Sequence, residues 1–224
     1  MSPPLPADAV LVPRLRERDE AAFALVVDAW STGMLRLARS FVQTDASARE
    51  VVQDAWLAVI TGLDRFEGRS ALRTWVYRIC VNTAKRRGER ERRVVPWSSW
   101  APDTLERDGP TVDPARFQGA HEPYPGHWRQ FPEHWPTPES EVLSSELERV
   151  LVDAVESLPT RQRIVLILRD VEGHRYDEVC DTLGITAANQ RVLLHRARAT
   201  VRARLEAYFH ADRDAETTAT GVAP

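Results

Sequence analysis

Cysteine is nearly absent from these 224 residues: Cys80 and Cys180 stand far apart with no CxxC spacing. That excludes a disulfide framework and a cysteine-based zinc site, and fits two buried free thiols in a reducing cytoplasm. No run of 18 uninterrupted apolar residues occurs, and the opening MSPPLPADAVLVP has no basic stretch ahead of an apolar one. Neither a membrane span nor a secretory leader is therefore expected. A phosphate-binding glycine loop, a nucleophile set beside a base and a metal-ligand spacing are also missing, so the chain is expected to bind rather than catalyse. His121, His127 and His134 come nearest to a ligand set, but spacings of six and seven in a proline-rich stretch without cysteine do not match structural zinc sites. No cofactor and no metal are expected.

What is present is sorted charge. The net charge is −3, yet residues 69–93 carry nine Lys or Arg against two acids, Glu89 and Glu91. Leu72, Trp75, Val76, Ile79, Cys80 and Thr83 recur at helical spacing there, with Thr74, Arg78, Val81 and Lys85 roughly opposite. The pattern predicts an amphipathic helix, capped by Ser70, whose cationic outer face suits a polyanion; a merely solvated charged face is the plainer alternative. Trp75 falls within the stripe and reads as core first. Tyr77 and Asn82 flank it and are the better candidates to touch a ligand.

Ahead of this helix, after an N-terminal extension over 1–18, Asp19 is positioned to cap a helix with Ala22, Phe23, Val26, Ala29, Trp30, Leu37, Ala38 and Phe41 inward and a bend at Gly33. Thr44 or Asp45 starts the next, with an inner stripe of Val51, Val52, Ala55, Trp56, Val59, Ile60 and Leu63. Its outer face shows Glu50, Gln53, Asp54 and Leu57, and a leucine among acids marks a candidate protein contact.

Residues 94–138 lose all periodicity. Nine of the fifteen prolines and four of the seven tryptophans fall there, and the charge over 94–140 is three arginines less seven acids, or −4. The expectation is a linker whose aromatic residues dock on a partner or on the flanking domains. Beyond it, Thr137-Pro138-Glu139 opens a helix with Val142, Leu143, Leu147, Val150, Leu151, Ala154 and Leu158 on one side. After Pro159 a further helix continues the core through Ile164, Val165, Ile167, Leu168 and Val171. A short helix with Tyr176, Val179, Cys180 and Leu183 inward, a turn at Gly184 and a helix capped by Thr186 then make a helix-turn-helix. From 186 to 205 that second helix has five arginines and no acid. Leu193, Ala197, Val201, Leu205 and Tyr208 are expected inward, and Asn189, Gln190, Arg191, Leu194, His195 and Arg198 toward the DNA groove. Residues 211–224 have little to bury and are expected to be disordered.

Together these stretches resemble the extracytoplasmic-function (group IV) sigma factors of bacterial RNA polymerase, of the sigma-70 class. AREVVQDAWLAVI is similar to the family's polymerase-clamp-binding helix, and SALRTWVYRICVNTAKRRGER to its promoter-melting, minus-ten-reading segment. SLPTRQRIVLILRDVEGHRYDEVCDTLGI followed by VLLHRARATVR is similar to its minus-thirty-five-binding domain. The resemblance covers about residues 20–93 and 140–208. It implies an all-α chain of two helical domains, 19–93 and 139–210, that serves as a dissociable specificity subunit in the cytoplasm.

The partners so implied are core RNA polymerase, promoter DNA both as duplex and as melted nontemplate strand, and an anti-sigma factor; no membrane is implied. Glu50, Gln53, Asp54 and Leu57 match the polymerase-binding positions. Arg69, Ser70, Arg73, Tyr77, Arg78, Asn82, Lys85, Arg86 and Arg87 match the segment that holds melted strand, with Asn82 at the position that bonds a flipped base and Lys85, Arg86 and Arg87 on phosphates. Arg175, Tyr176, Thr186, Asn189, Gln190, Arg191, Leu194, His195 and Arg198 match the duplex-reading surface.

One departure is Ala188-Asn189-Gln190-Arg191-Val192-Leu193, where the family usually places a small Gly and a Thr and then Val-Lys-Ser-Arg. Amides there suit adenine edges, or in the case of Asn189 a phosphate. A regulator that binds duplex DNA without polymerase is the alternative; the first basic helix, fitted for single strands, speaks against it.

Overall fold

The computed structural model describes residues 5–91 and 141–220, with side chains over 5–91 and 146–209. The expected linker, its histidines and tryptophans, the helix start at Thr137, and Val142 and Leu143 as inward side chains lie outside that description. Among the described residues all regular structure is helical: α1 Asp8–Arg16, α2 Glu20–Ala38, α3 Asp45–Gly62, α4 Leu72–Arg90, α5 Glu141–Glu156, α6 Thr160–Leu166, α7 Tyr176–Leu183 and α8 Ala187–Thr220. The chain forms two compact units, Met1–Pro102 with Ile164–Arg191 and Asp103–Arg163 with Val192–Pro224.

In the first unit two of the three expected caps form. Asp19 Oδ1 accepts the N–H of Ala22 at 3.1 Å, and Thr44 Oγ1 accepts that of Ser47 at 3.1 Å, each satisfying a donor that a helix start leaves orphaned. Val26, Trp30, Met34 and Leu37 of α2 and Val51, Ala55, Trp56 and Val59 of α3 are buried. Complete burial of a large aliphatic side chain contributes about 1.5–3 kcal/mol. Trp30 and Trp56 lie parallel, 6.5 Å between centroids, and the Trp56 indole donates to Ser31 Oγ at 3.0 Å. By length and composition α2 would suffice to cross a membrane, with mean hydropathy 1.3; here its apolar face belongs to the core.

Gly33 does not interrupt α2, which runs unbroken from Glu20 to Ala38. Its role is close approach, since a Cβ there would lie 2.2 Å from both Tyr77 Oη and Glu172 Oε2. Ile60, expected inside, is 49% exposed.

The stripe on α4 also differs from expectation. Thr74, Tyr77, Val81 and Ala84 join Leu72, Val76 and Cys80 inside, while Trp75, Ile79 and Thr83 are only half-buried. The cause is that α4 packs against α2 and α3 and also against α7, and a helix covered on two sides buries more than one stripe. Within the stretch ahead of residue 19, α1 buries Leu11 and Leu15 against α2 and the tight turn Leu63–Arg65.

The later stretch of this unit continues from α6 through a π-helical turn, Ile167–Val171, into Gly173 at φ +70° and then α7. Ile164, Val165, Ile167 and Leu168 are core, but Val171 is 50% exposed. Gly184, at φ +67°, ends α7 in the left-handed conformation that glycine adopts without strain, and its N–H donates to the Cys180 carbonyl at 2.8 Å.

In the second unit Ala154 and Leu158 are buried and Leu147 and Val150 half-buried, but Leu151 is 42% exposed, so the expected α5 stripe holds best toward its end. On α8 the expected Leu193, Ala197 and Leu205 are buried, while Val201 and Tyr208 are half-buried. The helix runs to Thr220. The stretch 211–220, expected to be disordered, is described as part of this helix, and its three alanines favour that conformation.

Candidate polymerase and nucleic-acid interfaces

The outer face of α3 carries Glu50, Gln53, Asp54 and Leu57, all exposed, with Leu57 61% exposed. Ile60 adds a second apolar side chain to the same face. Its spacing of three from Leu57 was a signal that inclusion in the inner stripe obscured. Glu50 pairs with Arg87 Nη2 at 2.6 Å, and Arg87 Nε also bonds Glu91 at 2.8 Å. The Arg87 guanidinium therefore ties α4 to α3 instead of standing open for phosphate.

Along α4, Arg78, Asn82 and Arg86 are exposed and, among the described residues, make no side-chain hydrogen bond or ion pair. At spacing four they form one row about 12 Å long. Lys85, the chain's single lysine, sits half-buried beside it; burial pulls its pKa down to about 8, against the opposing influence of Glu89. It still carries its charge at neutral pH.

At the start of α4 a cleft of about 410 Å³ is lined by Arg65, Phe66, Glu67, Arg69, Ser70, Trp75, Arg78 and Asp181. Trp75 and Phe66 meet at 5.1 Å between centroids, tilted by 48°, and Trp75 is half-exposed where it lines the cleft. Arg69 is exposed and its Nε bonds Glu67 at 2.6 Å. Ser70 lines the cleft but does not cap α4. The cap residue is Ala71, which has no side-chain acceptor, and the first helical N–H, that of Leu72, donates to Asp8 Oδ2 at 2.7 Å.

Two expected strand contacts are otherwise engaged. Tyr77 is fully buried and its hydroxyl donates to Glu172 Oε2 at 2.9 Å; Arg73 Nη2 donates to the Glu172 carbonyl at 2.6 Å, and Arg36 pairs with Oε1. Burial, then the Glu172 charge, push the phenol well above its ordinary pKa. Tyr77 is thus a core residue, because the α7 side of α4 covers it. Its spacing of four from both Arg73 and Val81 showed a face that the single-stripe reading assigned outward.

His174 lies edge-on to Tyr77 at 4.5 Å, 1% exposed, and among the described residues neither ring nitrogen has a hydrogen-bond partner. Burial, then the Arg73 charge, lower its pKa from 6.5 to about 4, with Glu178 opposing. The unfolded chain therefore binds the proton first. Stability present above pH 6.5 is lost as pH falls toward 4, by up to about 3 kcal/mol. Urea titrations between pH 7 and 4 should show this fall in the wild type and a flatter one in His174→Phe; equal slopes would contradict it.

The helix-turn-helix presents fewer open side chains than expected. Arg175, exposed, bonds Asp177 through Nη2 at 2.6 Å. The Tyr176 hydroxyl donates to the Ala187 carbonyl, and the exposed Arg191 guanidinium lies 5.7 Å from the Tyr176 ring centroid. Thr186 caps α8, its Oγ1 accepting Asn189 N–H at 3.2 Å. Asn189 is half-exposed; His195 and Arg198 are exposed.

Gln190 is not on the groove side. It is fully buried, and its Oε1 accepts the Cys180 thiol at 2.9 Å. Leu194, 7% exposed, is also inside. Both follow from the period that places Leu193 and Ala197 inward, since 190, 194 and 197 share that face.

The sequence matches two family models, described as Sigma-70 region 2 over residues 26–94 and Sigma-70, region 4 over residues 148–201. It is 31% identical over 191 residues to the ECF RNA polymerase sigma-E factor of Haemophilus influenzae, covering 85% of this chain and 91% of that protein. To the protein of the same description in Escherichia coli it is 30% identical over 191 residues, covering 85% and 90%. The structure of CnrH in complex with the cytosolic domain of CnrY superposes with a TM-score of 0.55 at 21% identity, over 90% of this chain and 99% of that one. At that identity the likeness is one of fold.

Proposed function

This chain belongs to the ECF RNA polymerase sigma factors, and from that premise we propose how its surfaces divide the work. Members of the family are initiation factors rather than catalysts. This one binds core RNA polymerase and directs promoter recognition and the start of transcription. The α3 face of Glu50, Gln53, Asp54 and Leu57, extended by Ile60, docks on the polymerase. Residues 19–93 serve as the polymerase and minus-ten module and 139–210 as the minus-thirty-five module, working in the cytoplasm. An anti-sigma partner controls access to these faces.

The observation that carries the minus-ten reading is the open row Arg78, Asn82 and Arg86 beside the aromatic cleft of Phe66 and Trp75. An unpaired base stacks in the cleft, Asn82 bonds its edge, and Arg78, Lys85 and Arg86 hold phosphates. Energy gained on the parted strand offsets unpairing. On the duplex side Arg191, His195 and Arg198 approach the groove, with Asn189 reading an adenine edge or holding a phosphate; Gln190, Leu194 and Tyr77 take no part in contact.

Permanganate modification of unpaired thymines, with holoenzyme on a promoter defined by transcript mapping, tests this. Asn82→Ala should lower strand opening by about tenfold with core binding intact, the loss of one well-placed hydrogen bond. Unchanged opening would refute the assignment. A duplex-binding regulator would need neither the row nor the exposed Leu57 and Ile60.

A further inference from the structure

Helix α1 lies ahead of the stretch matched by the region 2 model, which begins at residue 26, and none of the surfaces assigned above includes it. Its polar side chains nevertheless hold both ends of one short loop. Asp8 Oδ2 accepts the N–H of Leu72, the first residue of α4, at 2.7 Å. Ala71, at the cap position, makes no side-chain cap hydrogen bond of its own. Arg16 Nη2 donates to the carbonyl of Phe66. Between these two side chains Leu11 and Leu15, 1% and 2% exposed, fix α1 to the core. The loop so held runs from Phe66 to Ala71 through Gly68, at φ +71°.

This loop is the wall of the cleft. Phe66, Glu67, Arg69 and Ser70 line its open side, while Asp8, Val12, Arg16 and Gly68 line a second depression behind it. Six residues containing a glycine in the left-handed region sample many conformations when free, and each must be given up before a base is seated. Anchoring both ends beforehand removes part of that cost from the binding step and returns it as affinity and as discrimination between bases.

We propose that Asp8 and Arg16 are positioning residues that preorganise the Phe66–Ala71 loop for capture of an unpaired base. The proposal rests on the cleft reading above and adds to it a dependence on a helix that touches no DNA. The N-terminal segment thereby becomes a determinant of minus-ten specificity.

The test uses the full chain in holoenzyme with core polymerase and, as probe, a pool of single-stranded DNA randomised at ten positions, the bound fraction being sequenced. Asp8→Ala and Arg16→Ala should each weaken retention of the preferred sequences by about tenfold, the effect of losing a helix cap or a comparable anchor, and flatten the base preference. Affinity for core polymerase should stay within twofold. Asp8→Asn, which keeps an acceptor oxygen for Leu72 N–H, should recover most of the preference, a rescue that simple destabilisation would not produce. Should the wild type prefer certain bases and Asp8→Ala keep the same preference, the brace is refuted while the cleft reading stands. Should the wild type show no preference, the cleft reading falls and the brace with it. Loss of core affinity in parallel with strand retention would also overturn the proposal, since it would mark α1 as a folding element only.

Discussion

Tyr77→Ala should destabilise the protein by about 4 kcal/mol and Tyr77→Phe by about 1, as read by urea denaturation followed by circular dichroism. The ring is fully buried between α2 and the segment after α6, with Gly33 on one side and His174 edge-on at 4.5 Å. Removing it leaves a cavity that neither neighbour can fill without moving backbone. Removing only the hydroxyl leaves the Glu172 carboxylate with Arg36 and Arg73 as cationic partners, so the charge is not orphaned. A stacking residue would behave in the opposite way. If Tyr77→Ala proved nearly as stable as the wild type but lost single-strand binding, the placement of Tyr77 in the core would be wrong.

Leu57→Asp should weaken binding to core polymerase by about thirtyfold, the effect of losing a central interface residue worth about 2 kcal/mol. At 61% exposure Leu57 contributes little to folding, and its replacement adds an acid beside Asp54 in place of an apolar contact. Duplex binding through the helix-turn-helix should be unaffected, which separates this variant from one that is merely misfolded. Competition of labelled and unlabelled chain for core polymerase measures it; unchanged affinity would remove α3 from the interface.

Local signals were enough for the caps at Asp19 and Thr44, the Gly184 turn and most inner residues of α2 and α3, although Ala29 and Ile60, expected inside, are exposed and Phe23 is half-buried. Periodicity misled where a helix is covered twice. On α4 the residues on the α7 side, Thr74, Tyr77 and Val81, read as outward because only one stripe was sought. The polarity of Gln190 and the motif register of Leu194 point toward DNA, whereas their spacing to Ala197 puts them inside.

Contacts between residues distant in the chain left no local trace. The cap of α4 by Asp8 joins residues 64 apart, and the Glu172 cluster joins α4 to a segment nearly a hundred residues later. Within the candidate site, the exposure of Asn82, Arg78 and Arg86 followed from the sequence. The engagement of Arg73 and Arg87 by acids did not, because a charge run says nothing about which charges are already paired.

Run-off transcription from fragmented genomic DNA, with purified core polymerase and the purified chain, tests the central claim most directly. The account predicts discrete start sites, absent with core alone, that share two sequence elements upstream, and loss of those sites with Leu57→Asp. Start sites no different from those of core enzyme alone would contradict it.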